Sequence, residues 1–208
     1  MLETGDGNDT INFGGRVAFQ NNASATLNTG GGADRISLGD MIGANKGRFT
    51  LDSGNGDDTV QFGQQIGIQG GQLDLTRGQG QDQLILGGSS IDANISLDLF
   101  DGVEAGADLV IFQGSISGLS IQDFGNGDML VFPTGQIFDE LNENIPTATI
   151  DGLTNDGTQT GQMQIGVSFD APVEAALVQR TLTYSVFDNG TWSERTEEFS
   201  VVTLGALI

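Results

Sequence analysis

The chain repeats one unit at a period of about 24 residues, a spacing that means stacked supersecondary units. Each unit is a glycine-rich loop, one aspartate and a short apolar strand. The segments are Gly5–Phe13, Gly30–Leu38, Gly54–Phe62, Gly78–Leu86 and the more divergent Glu104–Phe112, with Gly125–Phe132 closing the series. The loop aspartates Asp9, Asp34, Asp58, Asp82 and Asp108 are 25, 24, 24 and 26 residues apart, and Asp128 follows after 20.

Three strands fit into each period. The first alternates strictly, which puts Ile11/Phe13, Ile36/Leu38, Val60/Phe62, Leu84/Leu86, Val110/Phe112 and Leu130/Phe132 inward. A weaker second strand passes through Val17/Phe19, Ile42, Ile66/Ile68, Ile91 and Ile116. The third has inward pairs Ala25/Leu27, Phe49/Leu51, Leu73/Leu75, Leu97/Leu99 and Leu119/Ile121. Three strands per coil, repeated in register, predict an all-β parallel β-helix, or β-solenoid, over residues 1–132. Rungs about 4.8 Å apart make five to six coils into a rod roughly 25–30 Å long.

The 208 residues carry 28 acidic and seven basic side chains, a formal charge of -21. Such a field repels nucleic acid and anionic membrane and attracts cations. Acidic chains are often disordered, but here 37% hydrophobic content arrives in regular strand-sized packets. With neither cysteine nor histidine, disulfides, Cys- or His-ligated metals and His-dependent triads are excluded. No apolar run approaches membrane-spanning length, and the N-terminus has no export signal pattern.

The loops point to a hard cation. Glycines at alternate positions permit positive φ and bring backbone carbonyls close to a shared point, and calcium takes six to eight oxygen ligands. The candidate ligand loops are Gly5, Asp6, Gly7 and Asp9; Gly30, Gly32 and Asp34; Gly54, Gly56, Asp57 and Asp58; Gly78, Gly80 and Asp82; and Asp108. Carboxylates stacked about 4.8 Å apart repel by about 0.9 kcal/mol per pair in water and about 3.5 kcal/mol at an effective dielectric of 20. Four such steps total about 3–14 kcal/mol, as much as the stability of a domain. Cations between successive coils reverse the sign. Tight turns closed by an Asx hydrogen bond are the simpler alternative for any single loop. The fourth loop carries Gln79 and Gln81 with only Asp82, so the sites between the third and fifth coils are expected to be weaker, while Asp101 and Glu104 are further candidates at the fifth.

These loops resemble the calcium-binding RTX nonapeptide, Gly-Gly-x-Gly-x-Asp-x-apolar-x. The likeness covers the loop and first strand at four good positions and one poor one. It departs from the family in having one nonapeptide per coil, separated by about fifteen residues, and so implies a single calcium-lined corner. The family also implies a chain that stays unfolded in calcium-poor cytoplasm and folds outside the cell.

The opening Leu2–Asp9 aligns without gaps on Leu27–Asp34 and Leu51–Asp58. The chain therefore starts in mid-coil with no capping unit, and the expectation is either a missing N-terminal part or an open end that pairs with another copy. Along the first strand the outward residues change from Thr10/Asn12, Arg35/Ser37 and Thr59/Gln61 to Gln83/Ile85, Leu109/Ile111 and Met129/Val131. A contiguous apolar surface of this kind is a covered face, and its cover is expected to be residues 133–208. In that segment 142–146 and 155–161 read as loops. Thr147–Ile150, Met163–Phe169, Ala176–Phe187 and Trp192–Leu204 read as strands, with Asp188-Asn-Gly190 as a hairpin turn, although 173–180 also fits a helix. The sum is an antiparallel β cap, with Tyr184 and Trp192 as packing residues.

The final Glu197–Ile208 places acids before an apolar run, which resembles the uncleaved type I export signal of RTX proteins in Gram-negative bacteria. The expectation is a non-enzymatic, secreted or cell-surface calcium-binding module for scaffolding, adhesion, surface-layer assembly or export. The alternative is an accessory carbohydrate-binding or catalytic module of a polysaccharide lyase or C5-epimerase. A base and acid converging beside a basic subsite would be needed for catalysis, and the six arginines show no such alignment. Ice binding needs a regular threonine face, which Arg35 and Gln83 interrupt.

Overall fold

The computed structural model describes residues 1–18, 21–39, 41–43, 45–67, 69–87, 94–99, 106–113, 117–124, 127–133, 137–144, 147–153, 162–169 and 174–205. Phe19, Ile68, Ile91, Asp101, Glu104 and Ile116 lie outside them. Among the described residues every regular element is a strand. The first coil contributes β1 (Leu2–Glu3), β2 (Thr10–Phe13), β3 (Arg16–Val17) and β4 (Ser24–Asn28). The second contributes β5 (Arg35–Leu38), β6 (Met41–Ile42) and β7 (Arg48–Asp52), and the third β8 (Thr59–Phe62), β9 (Gln65–Ile66) and β10 (Gln72–Thr76). Next come β11 (Gln83–Leu86) with β12 (Asn94–Asp98), β13 (Leu109–Phe112) with β14 (Ser117–Phe124), and β15 (Met129–Pro133).

Their pairing is that of a parallel β-solenoid. The first strands stack as β2-β5-β8-β11-β13-β15, the third strands as β1-β4-β7-β10-β12-β14, and the second as β3-β6-β9. The register follows the alternation pattern, with Ile11 on Ile36, Val60 on Ile36 and on Leu84, and Leu38 on Phe62. The stacked residues form one core in which Ile36, Val60, Phe62, Ile66, Leu73 and Leu86 are fully buried. Phe112 and Phe132 stack nearly parallel at 4.8 Å, as in-register neighbours on successive rungs should.

One register differs from the sequence pattern. In β12, Ile95 and Leu97 lie on Leu73 and Leu75 and continue to Leu119 and Ile121, so the inward pair is Ile95/Leu97 and not Leu97/Leu99. The step from β10 to β12 is 22 residues where the steps on either side of it are 24, a shortening that a constant period cannot locate. Leu99 is still buried, at the corner beyond the strand.

At the C-terminal end both long sheets continue into the remaining segment. Strand β18 (Gln162–Phe169) joins β14 in parallel. Strands β17 (Thr147–Leu153) and β16 (Ile137–Asn144) then extend that sheet antiparallel. Residues 142–144, read from sequence as loop, are therefore strand, paired with Thr147–Thr149. The other sheet ends in a hairpin of two fifteen-residue strands, β19 (Glu174–Asp188) and β20 (Thr191–Gly205), with β20 antiparallel to β15. Residues 174–180 are thus strand and not helix. The turn at Asn189 (φ 49°) and Gly190 (φ 85°) has the two positive φ values of a type I′ hairpin.

This hairpin covers the apolar outer face. Ile85, Leu109, Ile111 and Val131 form a second buried cluster with Tyr184, Val186, Phe199 and Val201. Tyr184 packs edge-on to Phe199 at 5.6 Å and donates to Glu197 at 3.2 Å. Trp192 lies against Phe187 at 5.3 Å. Further toward the first coil, the outward glutamines hold the outer edge of β19. Gln61 Nε2 donates to the Phe187 carbonyl at 3.0 Å while its Oε1 accepts the Phe187 N–H. Gln83 Oε1 accepts from the Ser185 N–H at 3.0 Å. At the other end of the rod β1, β2 and β3 are terminal in their sheets, with Leu2 exposed and Ile11, Phe13, Val17 and Ala25 only partly buried.

Candidate functional site

The glycine loops form one corner of the solenoid, stacked coil on coil. Gly5, Gly7, Gly30, Gly32, Gly54, Gly56, Gly78 and Gly80 all have φ between 84° and 140°. At Gly54 a second constraint is added, because a Cβ would collide with the Gly30 carbonyl below it. The loop backbones are zipped together: Gly7 N–H donates to Gly31, Gly32 to Asn55 and Gly56 to Gln79, at 2.6–2.8 Å. Close approach of this kind needs residues without side chains.

The loop aspartates turn into the corner. Asp34, Asp58, Asp82, Asp108 and Asp128 are all buried. Each offers Oδ1 to the backbone N–H of the equivalent aspartate one coil earlier: Asp34 to Asp9, Asp58 to Asp34, Asp82 to Asp58, Asp108 to Asp82 and Asp128 to Asp108, at 2.8–2.9 Å. The result is a continuous ladder of charge-assisted hydrogen bonds, of the kind worth about 1.5–3 kcal/mol each. Asn8 and Asp57 run a shorter ladder the other way, accepting from Ala33 and Gln81 in the following coil at 2.8 and 2.9 Å. Asp6 is exposed at the rim.

The second carboxylate oxygen of each inward aspartate has a different fate. Oδ2 of Asp9, Asp34, Asp58 and Asp82 is enclosed and accepts no hydrogen bond among the described residues. Beside Asp34 and Asp58 stand small hydroxyl residues at the position just before each loop. Thr4 donates to the Thr29 carbonyl, Thr29 to Ser53 and Ser53 to Arg77, at 2.8–3.1 Å. In the fourth coil that position is Arg77, a fully buried guanidinium. Its Nε lies 3.6 Å from Asp82 Oδ2, and its Nη2 donates to the Asp58 carbonyl at 3.3 Å.

Enclosure shows in the acidities. Burial, reinforced by the charges of Asp82 and Asp34, pushes the Asp58 carboxyl up to about 7, against the opposing pull of the Asp34 N–H and the neighbouring Ser53 hydroxyl. Burial also pushes Asp82 up, against Arg77 and the Asp58 N–H. A buried carboxylate with one saturated and one bare oxygen calls for a proton or a cation. The donor set around it is oxygen only, which fits a hard divalent ion. Among the described residues no three acidic side chains converge on one point. An ion between coils would therefore be held by no more than a pair of carboxylates, completed by carbonyl, hydroxyl and water oxygens.

The structure thus brings Asp9, Asp34, Asp58, Asp82 and Asp108 into one row, with the glycines setting the approach of the loops. It leaves Asp6 and Asp57 outside that row. Sequence reading placed Asp128 in the series but not among the candidate ligands, and gave Arg77 no part in the site, although Arg77 is visible as the break in a Thr4, Thr29, Ser53 series. The chain matches no protein-family model, no curated protein and no solved structure.

Proposed function

We propose that the chain is a non-catalytic, calcium-binding structural or adhesive module of RTX type, belonging to a protein that is secreted or held at the cell surface. The observation that carries this reading is the in-register row of inward aspartates, of which Asp9, Asp34, Asp58 and Asp82 each enclose an oxygen that accepts no hydrogen bond among the described residues. Asp9, Asp34 and Asp58 would hold the ions between coils, and calcium would supply the positive charge that lets these carboxylates stay ionised. Without it the row is self-repelling, so folding is coupled to ion concentration. In a calcium-poor compartment the chain remains loose; in calcium-rich surroundings it becomes a rod fit for scaffolding, surface-layer assembly or export. The type I export reading of Glu197–Ile208 belongs to the same proposal, as does association with another chain through the terminal strands β1 and β2.

The location of the perturbed carboxylates supports a structural role over a catalytic one. Asp58 and Asp82 line neither of two hollows at this corner, of about 520 and 360 Å³, whose acids are Asp57 in both and Asp9 beside Arg35 in the smaller. The test is circular dichroism during a calcium titration against EGTA, with light scattering on the same samples. A strong rise in ordered β-signal and melting temperature with calcium is expected. Identical spectra and melting points in both conditions would refute the proposal.

A further inference from the structure

We propose that Arg77 is a built-in cation that takes the place of a bound ion between the third and fourth coils. The calcium half of this inference rests on the reading above.

The argument is positional. Thr29, Ser53 and Arg77 are equivalent, because each directly follows a strand whose residues are in register: Asn28 on Asp52 and Thr76 on Asp52. The inward carboxylates are equivalent as well. Asp34, Asp58 and Asp82 lie between their own coil and the one before, each tied by Oδ1 to the earlier aspartate's N–H. In the third interval the guanidinium forms an ion pair with Oδ2 of Asp82 at 3.6 Å, longer than a hydrogen bond, and donates to the carbonyl of Asp58. The Asp58 carbonyl also accepts the Gln83 N–H at 2.8 Å, so its second lone pair serves Arg77. In the two earlier intervals the same acceptors exist without the guanidinium. Like Asp82 Oδ2, Oδ2 of Asp34 and of Asp58 accepts no hydrogen bond, but among the described residues it has no ion pair either, and the Asp9 and Asp34 carbonyls each take one ladder N–H, from Arg35 and Thr59. Where Arg77 stands in the third interval, Thr29 and Ser53 provide only short hydroxyls.

The identity of the fourth loop agrees. Gln79 and Gln81 replace the extra acids found in the first and third loops, leaving Asp82 as its single carboxylate. A loop with one negative charge and one buried arginine is neutral by itself. A divalent ion would have to displace the guanidinium or share its enclosed space, and either outcome leaves positive charge uncompensated.

The test uses the whole chain and its Arg77→Ser, Arg77→Lys, Arg77→Met and Ser53→Arg variants. Calcium stoichiometry is counted by isothermal titration and by native mass spectrometry. Arg77→Ser restores the hydroxyl series and should bind one more calcium than the parent. Arg77→Lys should leave the count unchanged. Ser53→Arg should bind one fewer. Parental stoichiometry in both Arg77→Ser and Ser53→Arg would overturn the proposal while leaving the calcium reading intact. The counter-charge itself is read in EGTA, where Arg77→Met should melt lower than Arg77→Lys because Asp82 loses its buried cation. If Arg77→Met melts as high as Arg77→Lys, Arg77 is a packing residue and the proposal falls. If the parent binds no calcium but Arg77→Met still melts lower, the calcium reading fails and the counter-charge stands.

Discussion

Replacing Asp58 with asparagine should stabilise the calcium-free chain at alkaline pH and weaken the calcium-bound one. In Asp58→Asn the new amide oxygen keeps an acceptor for the Asp34 N–H, which now lies 2.8 Å from the Asp58 Oδ1, but the charge is removed. Asp58 is fully buried, and its carboxyl is raised from 3.8 to about 7 chiefly by that burial. A carboxyl raised on folding contributes stability that is complete below its unfolded value and is lost as pH climbs through the folded one. In the absence of calcium the loss therefore falls between about pH 4 and about pH 7, and amounts at most to about 4 kcal/mol at 1.36 kcal/mol per pH unit. Solvent penetration and counter-ions reduce this to about 2 kcal/mol. Exchanging a charge-assisted hydrogen bond for a neutral one costs about 1 kcal/mol. The balance is a gain of about 1 kcal/mol for Asp58→Asn at about pH 8 in EGTA, turning to a loss below about pH 5. With calcium the variant should be the weaker protein at both values. Urea denaturation followed by far-UV circular dichroism, in EGTA and in calcium at the two pH values, reads all four quantities. An equal loss of stability at both pH values in EGTA would refute the reasoning, because a purely structural aspartate predicts that result.

Two further substitutions separate the parts of the fold. Gly5→Ala meets no neighbour and bears only the cost of φ +91°, about 1–2 kcal/mol, whereas Gly54→Ala adds a collision with the Gly30 carbonyl and should lose at least about 2 kcal/mol more; equal losses by urea denaturation would contradict the stacking of the loops. Tyr184→Ala removes a fully buried aromatic side chain from the hairpin arm and should cost about 3 kcal/mol, freeing the outer face around Ile85 and Ile111. Dye binding by ANS should then rise while the β-signal of the solenoid persists; loss of both in one transition would show that the hairpin and solenoid fold as one unit.

The sequence by itself determined the solenoid, its first-strand register and the row of loop aspartates. This follows because a parallel stack requires the same residue type at the same place in every coil. Ile11, Ile36, Val60, Leu84, Val110 and Leu130 repeat for that reason, and the loop glycines repeat because each carries the next coil's backbone. The covered outer face was legible too, since Ile85, Ile111 and Val131 had no reason to be apolar in an exposed sheet.

Tertiary structure decided what a period cannot express. It placed Ile95 and not Leu99 on the inward row, because the step from β10 to β12 is two residues shorter than its neighbours. It turned Gln61 and Gln83, read as polar surface, into partners for the open edge of β19, which lies more than a hundred residues away in sequence. It also put Arg77 inside the corner. An arginine in so acidic a chain reads as solvated surface, and only the stacking of Thr29, Ser53 and Arg77 beside three buried carboxylates shows that its charge has a counterpart there.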